Sequence, residues 1–155
     1  MTTFYFDASA LVKRYSPEIG TDWMQSLMGP IPGHSVLTAE FTLAEVAAAI
    51  SAKQRASPGI TLEERDHILA DFGFHCQREY RLLVVDRLIV DLAVELTKYY
   101  RLRGYDAIHL ATALTVNSRL RAWGLQPLTL VAADNDLLKA ARAEGLVTEN
   151  PNDHP

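Results

Sequence analysis

Thr3-Phe4-Tyr5-Phe6-Asp7-Ala8-Ser9-Ala10-Leu11-Val12-Lys13-Arg14-Tyr15 decides how the chain reads. An aromatic run of strand type ends on a carboxylate, a small-residue turn follows, and a helical pattern begins. In an open α/β sheet, ligands gather outside the carboxyl ends of the strands, and Asp7 stands at such an end. Ser9 is placed to cap the helix that follows. Asp7 has the chemistry of a helix cap too, and alone it reads as one. Three further carboxylates in unusual settings change that balance.

Outward from this stretch, strand and helix patterns alternate. The helix over 8–15 closes before Pro17. A second helix is expected over Glu18–Met28, broken by Gly29-Pro30-Ile31-Pro32-Gly33, and a strand over His34–Thr38. Ala39–Ala56 reads as a long helix in which Glu45 is the only charge between Phe41 and Ile50. A helix apolar all round is normally buried, and a buried glutamate needs a proton, a basic partner or a metal. No basic residue lies one turn away; a glutamate at the helix lip, reaching water, is the plainer alternative. Thr61-Leu62-Glu63-Glu64 has capping-box form and starts a helix to about Tyr80. Leu82–Val85 reads as a strand and Asp86 as the cap of a helix over Leu88–Tyr100.

Gly104 then interrupts the pattern, and Tyr105-Asp106-Ala107-Ile108-His109-Leu110-Ala111-Thr112-Ala113-Leu114 forms the most apolar helix of the chain. Asp106 lies in its first turn, where the helix dipole favours negative charge. His109 reads as a hydrogen-bonded core histidine, because a two-metal bundle needs a second Asp-x-x-His copy and none exists. A polar connection over 119–127 leads to a strand at Leu128–Ala132, with Asp134 at its carboxyl end. Asp136 reads as the cap of a helix over Leu137–Glu144, with a second-rank supporting role as its alternative. Leu146–Thr148 suggests a last strand. Residues 1–149 read as one domain and 150–155 as a loose tail.

Composition sets the bounds. At 155 residues with 48% hydrophobic and 22% charged, the chain suits a single globular domain. Its one cysteine, Cys76, excludes an intrachain disulfide and a paired-cysteine zinc site. No secretory signal or membrane span is read, so the default location is cytoplasmic. The formal net charge of −4 gives no global reason for a nucleic-acid partner, although basic clusters at Lys13/Arg14, Arg101/Arg103 and Arg119/Arg121 leave a local one. Each cluster reads first as a solvated surface pair.

Alternating strands and helices imply a three-layer α/β/α sandwich around a mainly parallel sheet. Asp7 and Asp134 then leave the sheet on one edge, and Glu45 and Asp106 lie on helices that must pack beside it. Carboxylates brought together repel and raise one another's pKa values. A hard divalent cation relieves this, and oxygen-only ligation suits Mg2+ or Mn2+.

Phe6-Asp7-Ala8-Ser9-Ala10-Leu11-Val12-Lys13, Leu43-Ala44-Glu45-Val46, Arg103-Gly104-Tyr105-Asp106-Ala107-Ile108-His109-Leu110-Ala111 and Leu130-Val131-Ala132-Ala133-Asp134, in this order and spacing, resemble the PIN-domain ribonucleases, and within them the VapC type of toxin from toxin–antitoxin pairs. The resemblance implies a PIN-like fold and an Mg2+- or Mn2+-dependent endoribonuclease leaving 5′-phosphate and 3′-hydroxyl ends. It implies Asp7, Glu45, Asp106 and Asp134 as the catalytic, metal-binding acids, with Ser9 supporting them. It also implies RNA as substrate, a small antitoxin protein as partner, and a homodimer. Related sequences often carry Thr or Ser where this chain has Ala132. That departure keeps a non-catalytic RNA- or protein-binding module of the same fold as the alternative. A phosphoacceptor receiver domain would need a lysine after the Leu128–Ala132 strand, and a haloacid-dehalogenase-type phosphatase would need Asp-x-Asp where Asp7-Ala8-Ser9 stands.

Overall fold

The structure, a computed structural model, describes residues 1–29 and 33–155. Five parallel strands, β1 (Thr2–Phe6), β2 (His34–Ala39), β3 (Tyr80–Leu83), β4 (Thr129–Val131) and β5 (Val147–Glu149), form one sheet in the order β3-β2-β1-β4-β5. Phe4 pairs with Val36 on one side and Thr129 on the other. Helices α1 (Ala8–Leu11), α2 (Thr21–Leu27), α3 (Thr42–Arg55), α4 (Leu62–Arg78), α5 (Arg87–Tyr99), α6 (Gly104–Ala122) and α7 (Asn135–Ala143) cover the two faces.

Side chains alternate across a strand, and that alternation separates two cores. Phe4, Phe6, Val36 and Val131 face α1, α2, α3 and α4, with Leu11, Met24, Ile50 and Phe72 buried among them. Tyr5, Leu37, Leu130 and Ala132 face α5, α6 and α7, with Leu96, Leu110 and Leu137. Strands buried on both faces are what an all-parallel sheet requires. The three-layer α/β/α architecture is the one expected from the alternation of elements.

Several boundaries differ. The first helix is only Ala8–Leu11, continued by a 3-10 turn at Val12–Arg14. Helix α2 starts at Thr21 rather than Glu18, and α6 runs on to Ala122, taking in the first part of the expected polar connection. The capping box is present, with Thr61 and Glu64 exchanging both bonds, and Asp86 accepts the Ile89 N–H as the cap of α5. Helix α3 is not buried all round: Ala44 and Ala48 are exposed, because small apolar residues on a helix suit a solvent face as readily as a core. Lys13 and Arg14 are not solvated either. Lys13 reaches the Ile19 carbonyl at 3.0 Å, and the Arg14 guanidinium lies 2.6 Å from Glu79.

The C-terminal residues pack rather than hang free. Pro151–Asp153 form a 3-10 turn with Pro151 buried, and the His154 ring stacks on Trp23 at 4.1 Å. Of the expected break at 29–33, residues 30–32 lie outside the described residues. Among the described residues no helix is long and apolar enough to cross a membrane.

Candidate active site

From β1 the chain passes to β2 on one side, while β4 docks on the other. The crevice at the carboxyl ends of β1 and β4 is therefore a topological switch point, where open α/β sheets bind ligands. Asp7 follows β1 directly, and its N–H bonds to the Val131 carbonyl of β4 at 3.2 Å. Its Oδ1 caps α1 by accepting the Ala10 N–H at 2.9 Å. Ser9 is therefore not the cap. Its hydroxyl lies 2.8 Å from both Asp7 oxygens and accepts the Ala133 N–H at 2.9 Å. Ser9 thus fixes the carboxylate and ties the ends of β1 and β4 together.

Asp7 is only 3% exposed. Burial pushes its carboxyl up to about 6, and the nearby Asp106 charge adds to this. His109 and the bonds from Ala10 and Ser9 act in the opposite sense. A buried carboxylate with no basic partner in contact is a costly arrangement.

Asp106 stands in the first turn of α6, with Oδ2 3.1 Å from Arg103 Nε. Asp134 caps α7 through Oδ1, which accepts the Leu137 N–H at 2.9 Å. Its Oδ2 lies 3.9 Å from the other end of the Arg103 guanidinium. Asp134 therefore takes the capping role expected of Asp136, which lies two residues further on, inside the first turn of α7. Asp136 instead faces Arg101 at 4.0 Å and is exposed. Asp106, Asp134, Asp136, Arg101 and Arg103 line one open cleft of about 590 Å³.

Glu45 has the basic partner its own helix lacked. His109, on α6 and 1% exposed, sets Nε2 2.7 Å from Glu45 Oε1 and Nδ1 2.8 Å from the Tyr5 hydroxyl. Burial holds the Tyr5 phenol far above its usual range, with Asp7 and Glu45 adding to the shift. Tyr5 therefore keeps its proton, and the two ring nitrogens of His109 link its hydroxyl to the Glu45 carboxylate. The rings of Phe41 and Tyr5 pack against the imidazole at 4.7 and 5.8 Å between centroids. His109 is the hydrogen-bonded core histidine expected from the sequence. Its bond to Glu45 was not foreseen, although both residues had been singled out.

The donor chemistry of these residues fits a hard divalent cation: four carboxylates, all oxygen, one of them buried without a counter-charge. Thr42 Oγ1, one helical turn before Glu45, is buried without a hydrogen-bond partner. The carboxylates are neighbours rather than a closed cage. Among the described residues no three His, Cys, Asp or Glu side chains stand at metal-ligand spacing.

The sequence model of the PIN domain family matches residues 4–143. No curated protein matches the sequence. Among solved structures, the chain resembles VapC20 of Mycobacterium tuberculosis, described as a sarcin–ricin-loop-cleaving toxin. That likeness has a TM-score of 0.62 at 17% identity over 93% of this chain and 96% of that one. VapBC2 from Rickettsia felis, solved on a promoter DNA fragment, gives a TM-score of 0.63 at 15% identity, covering 96% of this chain and 98% of that one. A toxin–antitoxin complex from Klebsiella pneumoniae gives 0.57 at 18% identity, covering 95% and 96%. A match over nearly the whole sheet, with a buried acid at its switch point and further acids on the helices beside it, places the chain in the PIN domain family.

Proposed function

We propose that the chain is a divalent-metal-dependent endoribonuclease, the toxin of a toxin–antitoxin pair. The observation that carries this reading is Asp7: a buried carboxylate at the β1/β4 switch point, with the charge of Asp106 close by. Three similar structures are described as a sarcin–ricin-loop-cleaving toxin, a VapBC pair and a toxin–antitoxin complex, which supports RNA as the substrate and a small antitoxin as the partner. An RNA substrate makes the cytoplasm its place of action, and the acting form is a homodimer.

Asp7, Glu45, Asp106 and Asp134 are the residues that hold Mg2+ or Mn2+. When bound, such an ion supplies Lewis-acid polarisation and charge neutralisation at a phosphodiester. The chain's own contribution is placement. Ser9 fixes both oxygens of Asp7, and the α7 cap leaves one Asp134 oxygen facing the cleft. His109 orients Glu45 from the core. Arg101, almost fully exposed at the cleft, is available to a backbone phosphate. Its contribution weakens with salt, as counterion release requires.

One second reading has an observation in its favour. Asp106 and Asp134 face Arg103, and Glu45 faces His109, while Ala132 is fully buried without a hydroxyl; both suit a non-catalytic binding module. Incubating total RNA with purified chain in Mg2+, Mn2+ or chelator, beside Asp7→Asn, separates the two. Discrete metal-dependent fragments that vanish in a folded Asp7→Asn protein are expected. Undiminished cleavage by that variant overturns the assignment of Asp7. No cleavage by the folded wild type under any metal favours the binding module.

A further inference from the structure

We propose that Arg103 is an internal counter-ion that occupies the Asp106–Asp134 gap in place of the divalent cation, so that metal loading displaces it. This rests on the metal site proposed above. Arg103 Nε lies 3.1 Å from Asp106 Oδ2, and another nitrogen of the same guanidinium lies 3.9 Å from Asp134 Oδ2. One planar cation thus spans two acids that come from different elements, Asp106 in the first turn of α6 and Asp134 after β4. Without it the two carboxylates face each other across the cleft with like charge, an arrangement that costs free energy. Neither acid needs Arg103 for its local role. Asp106 is already favoured by the N-terminus of α6, and Asp134 is already satisfied as the cap of α7.

Arg103 is held loosely. Its side chain is 83% exposed, and it immediately precedes α6 without capping that helix through its side chain. An exposed ion pair is weak and exchanges readily, so this cation can leave while the acids stay. A monovalent placeholder of this kind lowers repulsion in the metal-free protein and lowers apparent metal affinity by competition. Arg101 is the natural comparison. It carries the same charge on the same cleft, but it faces Asp136 at 4.0 Å and spans no acid pair.

The test is Mn2+ binding itself, read from the free-ion paramagnetic resonance signal at fixed pH and ionic strength, with RNA absent. Arg103→Ala is expected to bind Mn2+ more tightly by about 2- to 5-fold, the scale of an exposed ion pair. Arg103→Lys stays near wild type, and Arg101→Ala changes affinity less. In an Asp134→Asn background the gain from Arg103→Ala shrinks, because the double-mutant cycle removes the shared partner. Equal or weaker binding by Arg103→Ala, or an equal gain from Arg101→Ala, overturns the proposal while leaving the metal site standing. If neither the wild type nor Arg103→Ala binds Mn2+, the metal reading and this proposal fall together.

Discussion

Asp7 is asked to cap a helix and to carry a charge, and burial sets these two tasks against each other. Its carboxyl is pushed up to about 6 by burial, from an ordinary value of 3.8. Between those values the native state holds a proton that the unfolded chain has released. Stability of the metal-free protein therefore falls as pH rises through this window, by on the order of 3 kcal/mol once Asp7 is fully ionised. Asn keeps an oxygen for the Ala10 N–H and carries no charge. In chelator, Asp7→Asn is expected to be more stable than wild type at pH 7.5 and to lose that advantage near pH 4.5, as read by urea denaturation. A wild-type advantage at pH 7.5 would show that the buried charge is not the cost it is taken to be. At this scale the acids were legible, because their apolar surroundings made them conspicuous. Their partners were not: Tyr5 and His109 are 104 residues apart, and no local pattern encodes a hydrogen bond of that span.

At the scale of elements, the 3-10 turn after α1 is tied to α4 and β3 by one arginine. Arg14 lies 2.6 Å from both Glu79 Oε2 and the Tyr80 hydroxyl, and the Tyr15 hydroxyl bonds His75 Nδ1 at 2.9 Å. The Arg14 and Glu79 side chains are only 12% and 21% exposed, so this is not a surface pair. Arg14→Ala is expected to destabilise the fold by about 3 kcal/mol, since removing one partner leaves the other charge half-buried and alone. Glu79→Gln on that background should add little, and full additivity in thermal unfolding would show that the two side chains are not coupled. The capping box at Thr61 and the cap at Asp86 were readable because their signals lie within one turn. The Lys13/Arg14 cluster was misjudged because Glu79 and Tyr80 lie some 65 residues downstream.

For the molecule as a whole, alternation of elements was enough to give the parallel sheet and its two helical layers. What alternation does not encode is where the chain stops contributing. The last six residues read as loose, since Asn, Pro and Asp are turn formers with no apolar pattern, yet Pro151 is buried against Gly20. Gly20 has φ of +87°, and a Cβ there would stand 2.3 Å from the Pro151 carbonyl oxygen. Only glycine serves at such a position. Deleting 150–155 is expected to lower the unfolding temperature by about 4 to 8 °C, the shift for roughly 2 kcal/mol in a domain of this size. It should also change the fluorescence of Trp23, which loses its stacked His154. An unchanged melting curve would show that the tail merely rests on the surface.

The hydroxyl of Ser9 bonds the N–H of Ala133 across 124 positions of sequence. β4 fills the sheet between β1 and β5 and pairs directly with β1, so the acid after β1 meets the acid after β4 only once that strand has docked. A protein read as a cutter of RNA is thus built so that a chain with only β1, β2 and β3 in place holds Asp7 but not the partner strand that brings Asp134 beside it.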